Sequence, residues 1–163
     1  MTNHGIAARR AFAIGLLILG LTGCTQSEGM NDEMRQQEID MRAELASWDA
    51  DVANWKADNA RMLGELEGKP AKAGSDLERE VTDHAARHTE HARNLEAFGT
   101  TLSEHKAEVE KEAALPERER VLAHSALWTK HMTAKASHAS LAMTHKDLGE
   151  KHAELMAKLA VVK

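Results

Sequence analysis

Five histidines stand at a constant spacing of seven residues in the last third of the chain: His124, His131, His138, His145 and His152. Seven residues is the repeat that returns a side chain to the same face of a helix packed against other helices. A chain built this way is confined to long helices whose seams carry imidazole. Composition agrees. Tyrosine is absent, and after the first two dozen residues the only other aromatic rings are Trp48, Trp55, Phe98 and Trp128, with Ile39 the only isoleucine. Strands favour β-branched and aromatic residues, whereas this chain is supplied with Ala, Leu, Met, Glu, Lys and Arg, the helix formers. The expected class is all-α.

Punctuation divides the chain into three helices. Asn31 can cap the first, with Asp32 and Glu33 favourable in its opening turn. Gly68 followed by Pro70 is a stop, so helix 1 is expected over 32–67. Ser75-Asp76-Leu77-Glu78 forms a capping box for helix 2, over 76–113. Pro116 suits the first turn of helix 3, over 117–162. Gly99-Thr100-Thr101 could interrupt helix 2, but the heptad passes through it unshifted, so continuity is expected. Short links make successive helices antiparallel, which predicts a three-helix bundle or coiled coil over 32–163.

The seams predict how the layers stack. Helix 1 carries Met34, Met41, Trp48, Trp55 and Met62 at one heptad position, a core stripe. Helix 2 carries Leu77, His84, His91, Phe98 and His105. Folding about Ala114–Leu115 sets His105 against His124, His91 against His138 and His84 against His145. Helix 1 then completes the layers Glu38/His105/His124, Val52/His91/His138 and Asn59/His84/His145. A slip of one heptad is expected to lose part of this matching.

Residues seven apart on one helix lie about 10.5 Å apart along its axis, too far to share an ion bound at about 2 Å. A second helix must contribute. His84, His88 and His91 (HAARHTEH) combine spacings of four and three, which place them on one face. With His138 and His145 opposite, they form the first candidate metal site. Glu38, His105 and His124 form the second. Imidazole suits Zn, Cu and Ni. Buried histidine at heptad positions also has a purely structural use, fixing register at some cost in stability. Protonation of core histidines predicts that a metal-free bundle loosens below about pH 6.

Other chemistry is thin. No phosphate-cradling glycine loop, nucleophile elbow or CxxCH haem attachment occurs. Ser125 and Ser137 adjoin histidines in sequence, but adjacent helical residues point apart. No enzyme is expected, and no catalytic residue. Setting aside Arg9 and Arg10 takes the formal net charge from −5 to −7, which argues against nucleic acid as a partner.

The first residues carry Arg9-Arg10, the apolar run AFAIGLLILGL and then Leu21-Thr22-Gly23-Cys24. A basic start, a short apolar run and small residues before the cut describe an export signal. The ending LTGC resembles the lipobox of bacterial lipoproteins. That resemblance implies removal of residues 1–23, lipidation of Cys24 and a short tether over 24–31. It implies a membrane partner through the acyl chains and an envelope location, with Thr25 favouring the outer membrane facing the periplasm. Cys24 is the only cysteine, so no internal disulfide can form. The reading that follows is a lipid-anchored helical scaffold or interaction module, partnering an envelope protein or itself. The alternative is a histidine-rich periplasmic protein that binds or buffers Zn, Cu or Ni.

Overall fold

The structure is a computed structural model, and it describes residues 30–69 and 75–161. The expected export signal, Cys24 and residues 70–74 lie outside the described residues. Three α-helices account for nearly all of the rest: α1 (Asp32–Leu66), α2 (Ser75–Ala113) and α3 (Glu117–Val161). They form an all-α, three-helix bundle.

Local chemistry sets the ends. The Asn31 side chain accepts a hydrogen bond from the Met34 amide at 2.9 Å, with Asp32 and Glu33 in the first turn beside the positive end of the helix. At the other end Gly68 takes φ +71°, the left-handed conformation that glycine adopts freely, and α1 stops there. The Pro116 carbonyl accepts the amides of Glu119 and Arg120 and opens α3. α2 runs through Gly99 without a break. None of the described helices is long and apolar enough to cross a membrane.

The longest helix is α3, and α2, which packs against both other helices, meets it in a stagger that differs from the expected layers. Glu112, His105, Phe98, His91 and His84 of α2 meet His124, His131, His138, His145 and His152 of α3 in turn. Relative to the sequence expectation, α2 has slid by one heptad. His105 pairs with His131 rather than His124, His91 with His145 rather than His138, and His84 with His152 rather than His145. The slip loses none of the histidine pairs, contrary to expectation, and it gains an acid for His124.

The cause lies at the turn. Folding about Ala114–Leu115 assumes that both helices leave it at the same level. Instead α3 starts well past the end of α2, and α1 occupies the overhang. The Met30 amide and the Arg35 guanidinium donate to Glu117 at 3.0 and 3.3 Å, and Arg120 donates to Glu38 at 2.8 Å. The expected α1–α3 register is close to the observed one.

The apolar core falls into two parts. Met41, Leu45, Trp48, Val52, Phe98, Leu102, Val109, Leu127 and Ala134 form the larger. Leu66, Val81 and Leu155 form a smaller cluster at the other end. The level between them holds Asn59, His84, His88 and His91, all buried. Polar groups placed there are sealed from water on both sides, so each must find a partner inside the bundle.

Candidate metal centre

Every histidine of the α3 ladder sends Nε2 toward a side chain of α1, at a constant offset of 87 residues. His124 reaches Gln37 at 2.9 Å, His131 Glu44 at 2.9 Å, His138 Asp51 at 3.1 Å, His145 Asp58 at 3.8 Å and His152 Glu65 at 2.9 Å. These partners are themselves a heptad on α1. The indoles of α1 fill the spaces between the rungs. Trp48 stacks between His131 and His138, with ring centres 4.9 and 5.2 Å away. Trp55 stacks between His138 and His145 at 5.0 and 5.7 Å. Carboxylate and indole together fix His131, His138 and His145 in position and orientation.

What differs from rung to rung is the α2 side. His124 Nδ1 meets Glu112 at 3.1 Å, His131 Nδ1 meets His105 at 3.2 Å and His145 Nδ1 meets His91 at 3.3 Å. His138 faces the Phe98 ring. At the last rung α2 supplies two imidazoles, because His84 is followed by His88 one turn later. His84, His88 and His152 each present a ligand nitrogen, and the three nitrogens lie within 4.8 Å of one another. Tetrahedral coordination at 2.0–2.1 Å asks for nitrogens roughly 3.3 Å apart, so small rotations of the rings suffice. The three residues are 6, 0 and 5% exposed.

Hydrogen bonds decide which nitrogens are free. The Asn59 amide nitrogen donates to the His88 carbonyl at 2.9 Å, so its oxygen faces His88 Nδ1, 2.6 Å away. His88 Nδ1 therefore carries the proton and Nε2 keeps its lone pair. That lone pair accepts from His84 Nε2, 3.0 Å away. His152 donates from Nε2 to Glu65, which leaves Nδ1 as a buried acceptor with no hydrogen-bond partner. A carboxylate or amide behind a histidine, fixing its tautomer, is the arrangement that metal ligands use. A shift of the His84 proton to Nδ1 would free its Nε2 lone pair, 3.0 Å from that of His88.

Burial favours the neutral form of His84 and His88, the form that coordinates metal. Burial, helped by the neighbouring His84 and His152, pushes His88 down to about 4. Burial also lowers His84, reinforced by His152, Arg87 and Lys151. His91, His105 and His145 move the same way, again mainly through burial, with Asp58 opposing at His145. Hydrogen bonds from His152 and Arg61 hold the Glu65 carboxyl below the usual carboxylate range.

The expected candidate sites are thus rearranged. Of His84, His88, His91, His138 and His145, the fold brings His84 and His88 together and completes them with His152. The one-heptad slip carries His91 to His145 and leaves His138 between two indoles. The second candidate does not assemble. Glu38 pairs with Arg42 and Arg120, His105 with His131, and His124 with Glu112 and Gln37. The sequence reading missed Glu65 and the rest of the α1 partner ladder. Its signal was present: Gln37, Glu44, Asp51, Asp58 and Glu65 are spaced by seven, like the histidines they serve. No protein-family model, curated protein or solved structure matches the chain.

Proposed function

We propose that this protein binds a single transition-metal ion through His84 Nε2, His88 Nε2 and His152 Nδ1, and that binding, rather than catalysis, is its work. The observation that carries this reading is the convergence of three buried imidazoles, two of them oriented from behind by Asn59 and Glu65. A scaffold needs apolar seams and register-setting pairs, which the other rungs supply. What sets the last rung apart is the third imidazole, since a buried Nδ1 without a partner also occurs at His91 and His105. Three ligands leave a fourth position for water or another donor. The lipobox resemblance of Leu21–Cys24 supports the further reading that this metal binder is held to a membrane of the bacterial envelope by acyl chains on Cys24.

The test is calorimetric titration of the full-length chain in mild detergent with Zn(II), carrying Cys24→Ser to remove the competing thiol. One ion per chain is expected to bind saturably, with affinity falling more than about a hundredfold in His88→Ala. His131→Ala, three rungs away, should leave affinity within about twofold of the parent. Weak, non-saturating binding that is equal in all three proteins would return the histidines to a structural role.

A further inference from the structure

We propose that α3 carries a second seam, on its outer face, and that this seam pairs antiparallel with the α3 of a second copy of the chain. Leu122, Thr129, Ala136 and Met143 are seven apart, and Ser125, Met132 and Ala139 interleave with them at alternating steps of three and four. That is the spacing of a coiled-coil seam. Leu122, Thr129, Ala136 and Met143 each precede a ladder histidine by two residues, which is about 200° round the helix. The seam therefore faces away from the histidines, and all of its side chains are exposed. Leu122 and Met143 are 77 and 74% accessible and Met132 is 45% accessible. Among the described residues, α1 leaves only Ile39 as a large exposed apolar side chain, and α2 leaves none. An exposed apolar strip of this kind marks a place where another surface docks.

Charge and shape name the occupant. No acid occurs in α3 between Arg120 and Lys146, and the two lysines in that stretch, Lys130 and Lys135, lie off the seam and pair with Glu108 and Glu44. A seam without charge has nothing to offer a charged partner, but it matches a copy of itself. Its hydroxyls are already satisfied. Thr129 Oγ1 donates to the Ser125 carbonyl at 2.9 Å, and Thr133 Oγ1 donates to the Thr129 carbonyl at 3.1 Å. They can be buried without stranding a donor. Ser125, Ala136 and Ala139 are small enough for a second helix to approach closely, while Met132 projects. Beside the seam a groove of about 330 Å³ opens between α2 and α3, with Thr129, Thr133 and Ser137 along its α3 wall and Glu104 and Glu108 on the α2 side. A projection and a hollow on one surface suit a two-fold interface, because each copy supplies both. The ends of the seam set the orientation. Arg118 lies beyond Leu122, and Lys146, Asp147 and Glu150 lie beyond Met143. A parallel pair sets each of these charges against its own copy. An antiparallel pair sets Arg118 against the end that carries Asp147 and Glu150, and Met132 against residues 129–136 of the other copy.

The experiment is sedimentation equilibrium of the full-length Cys24→Ser chain in a density-matched mild detergent, over a series of protein concentrations, repeated with Ala136→Glu. A contact along one helix is at the small end of specific interfaces, so a reversible dimer with a dissociation constant of the order of 10 μM is expected. Two glutamates close to the two-fold axis should raise that constant at least about tenfold. Ala136 is exposed, so the helical circular dichroism of the variant should match that of the parent. Single cysteines in the same chain read the orientation. On mild oxidation Thr133→Cys is expected to cross-link to its own copy, and Leu122→Cys is not. A chain that stays monomeric well above that concentration, or a dimer that Ala136→Glu leaves intact, overturns the seam as a self-association surface, even if the monomer binds lipid vesicles through this face. Equal cross-linking of the two cysteine variants overturns the antiparallel arrangement.

Discussion

The His138 rung and the His152 rung start from the same design and end as different objects. Both place imidazole at the same heptad position of α3, and both donate from Nε2 to an acid of α1, Asp51 in one case and Glu65 in the other. At His138 the remaining faces meet Trp48, Trp55 and Phe98, so the ring is packed like a core aromatic. At His152 they meet His84 and His88. A ladder that looks uniform along α3 is thus given its chemistry by α2. Where α2 offers phenylalanine the rung is structural. Where it offers one histidine, the two rings share a hydrogen bond. Only where it offers two, one turn apart, do enough lone pairs gather for a metal.

Removing the packing at the structural rung should produce the largest effect. Trp48 is 5% exposed and sandwiched between two imidazoles. Trp48→Ala is expected to cost about 3–5 kcal/mol, as measured by denaturant unfolding. Metal stoichiometry under native conditions should stay at one per folded chain. A change in stoichiometry would mean that the two rungs are not separable.

Acid should act mostly through the histidine pairs and the three-histidine layer. Burial pushes the pKa of His88 down to about 4 in the fold, against the ordinary value near 6.5 when unfolded. Between those values the unfolded chain binds more protons, so stability falls as pH drops through that window. The loss from His88 alone is of the order of 3 kcal/mol, and His84, His91, His105 and His145 add losses of the same sign. Glu44 and Glu65, held below the ordinary carboxylate range, add theirs only at more acidic pH. Saturating metal should protect the bundle through the upper part of the window, because it binds the neutral rings of the folded chain. Identical unfolding midpoints at pH 7.5 and pH 5 would contradict the burial of these imidazoles.

A smaller effect should distinguish orientation from ligation. Asn59→Ala leaves all three ligands in place but frees His88 to turn its proton the other way. Metal affinity is expected to fall about 10–100-fold, the usual consequence of losing the group behind a ligand. The same change at Asp51, behind His138, should leave affinity unaltered. Equal responses at the two positions would erase the distinction between the rungs.

Much of this was legible in the chain. Helix ends could be read from Asn31, Gly68 and Pro116 because capping and turn chemistry act over a few residues. The all-α class followed from a composition that leaves strands little to work with. The His84/His88 pair was visible because helical spacing is local. The partner of that pair was not. Two registers one heptad apart both match histidine with histidine three times, so counting pairs cannot choose between them. The choice comes from contacts far apart in sequence, such as Glu112 with His124 and Met30 with Glu117, which reward the longer overhang of α3. The acids of α1 were overlooked for a related reason. Glu44 and Glu65 look like solvated surface until a histidine 87 residues away is brought alongside.

The most direct measurement is a crystal structure of the protein grown with one equivalent of metal, using anomalous scattering at the absorption edge of that metal. One peak is expected inside the triangle of His84 Nε2, His88 Nε2 and His152 Nδ1, with none at the His91–His145 or His105–His131 pairs. An empty triangle, or a peak at His138, would contradict the assignment of this layer as the metal centre.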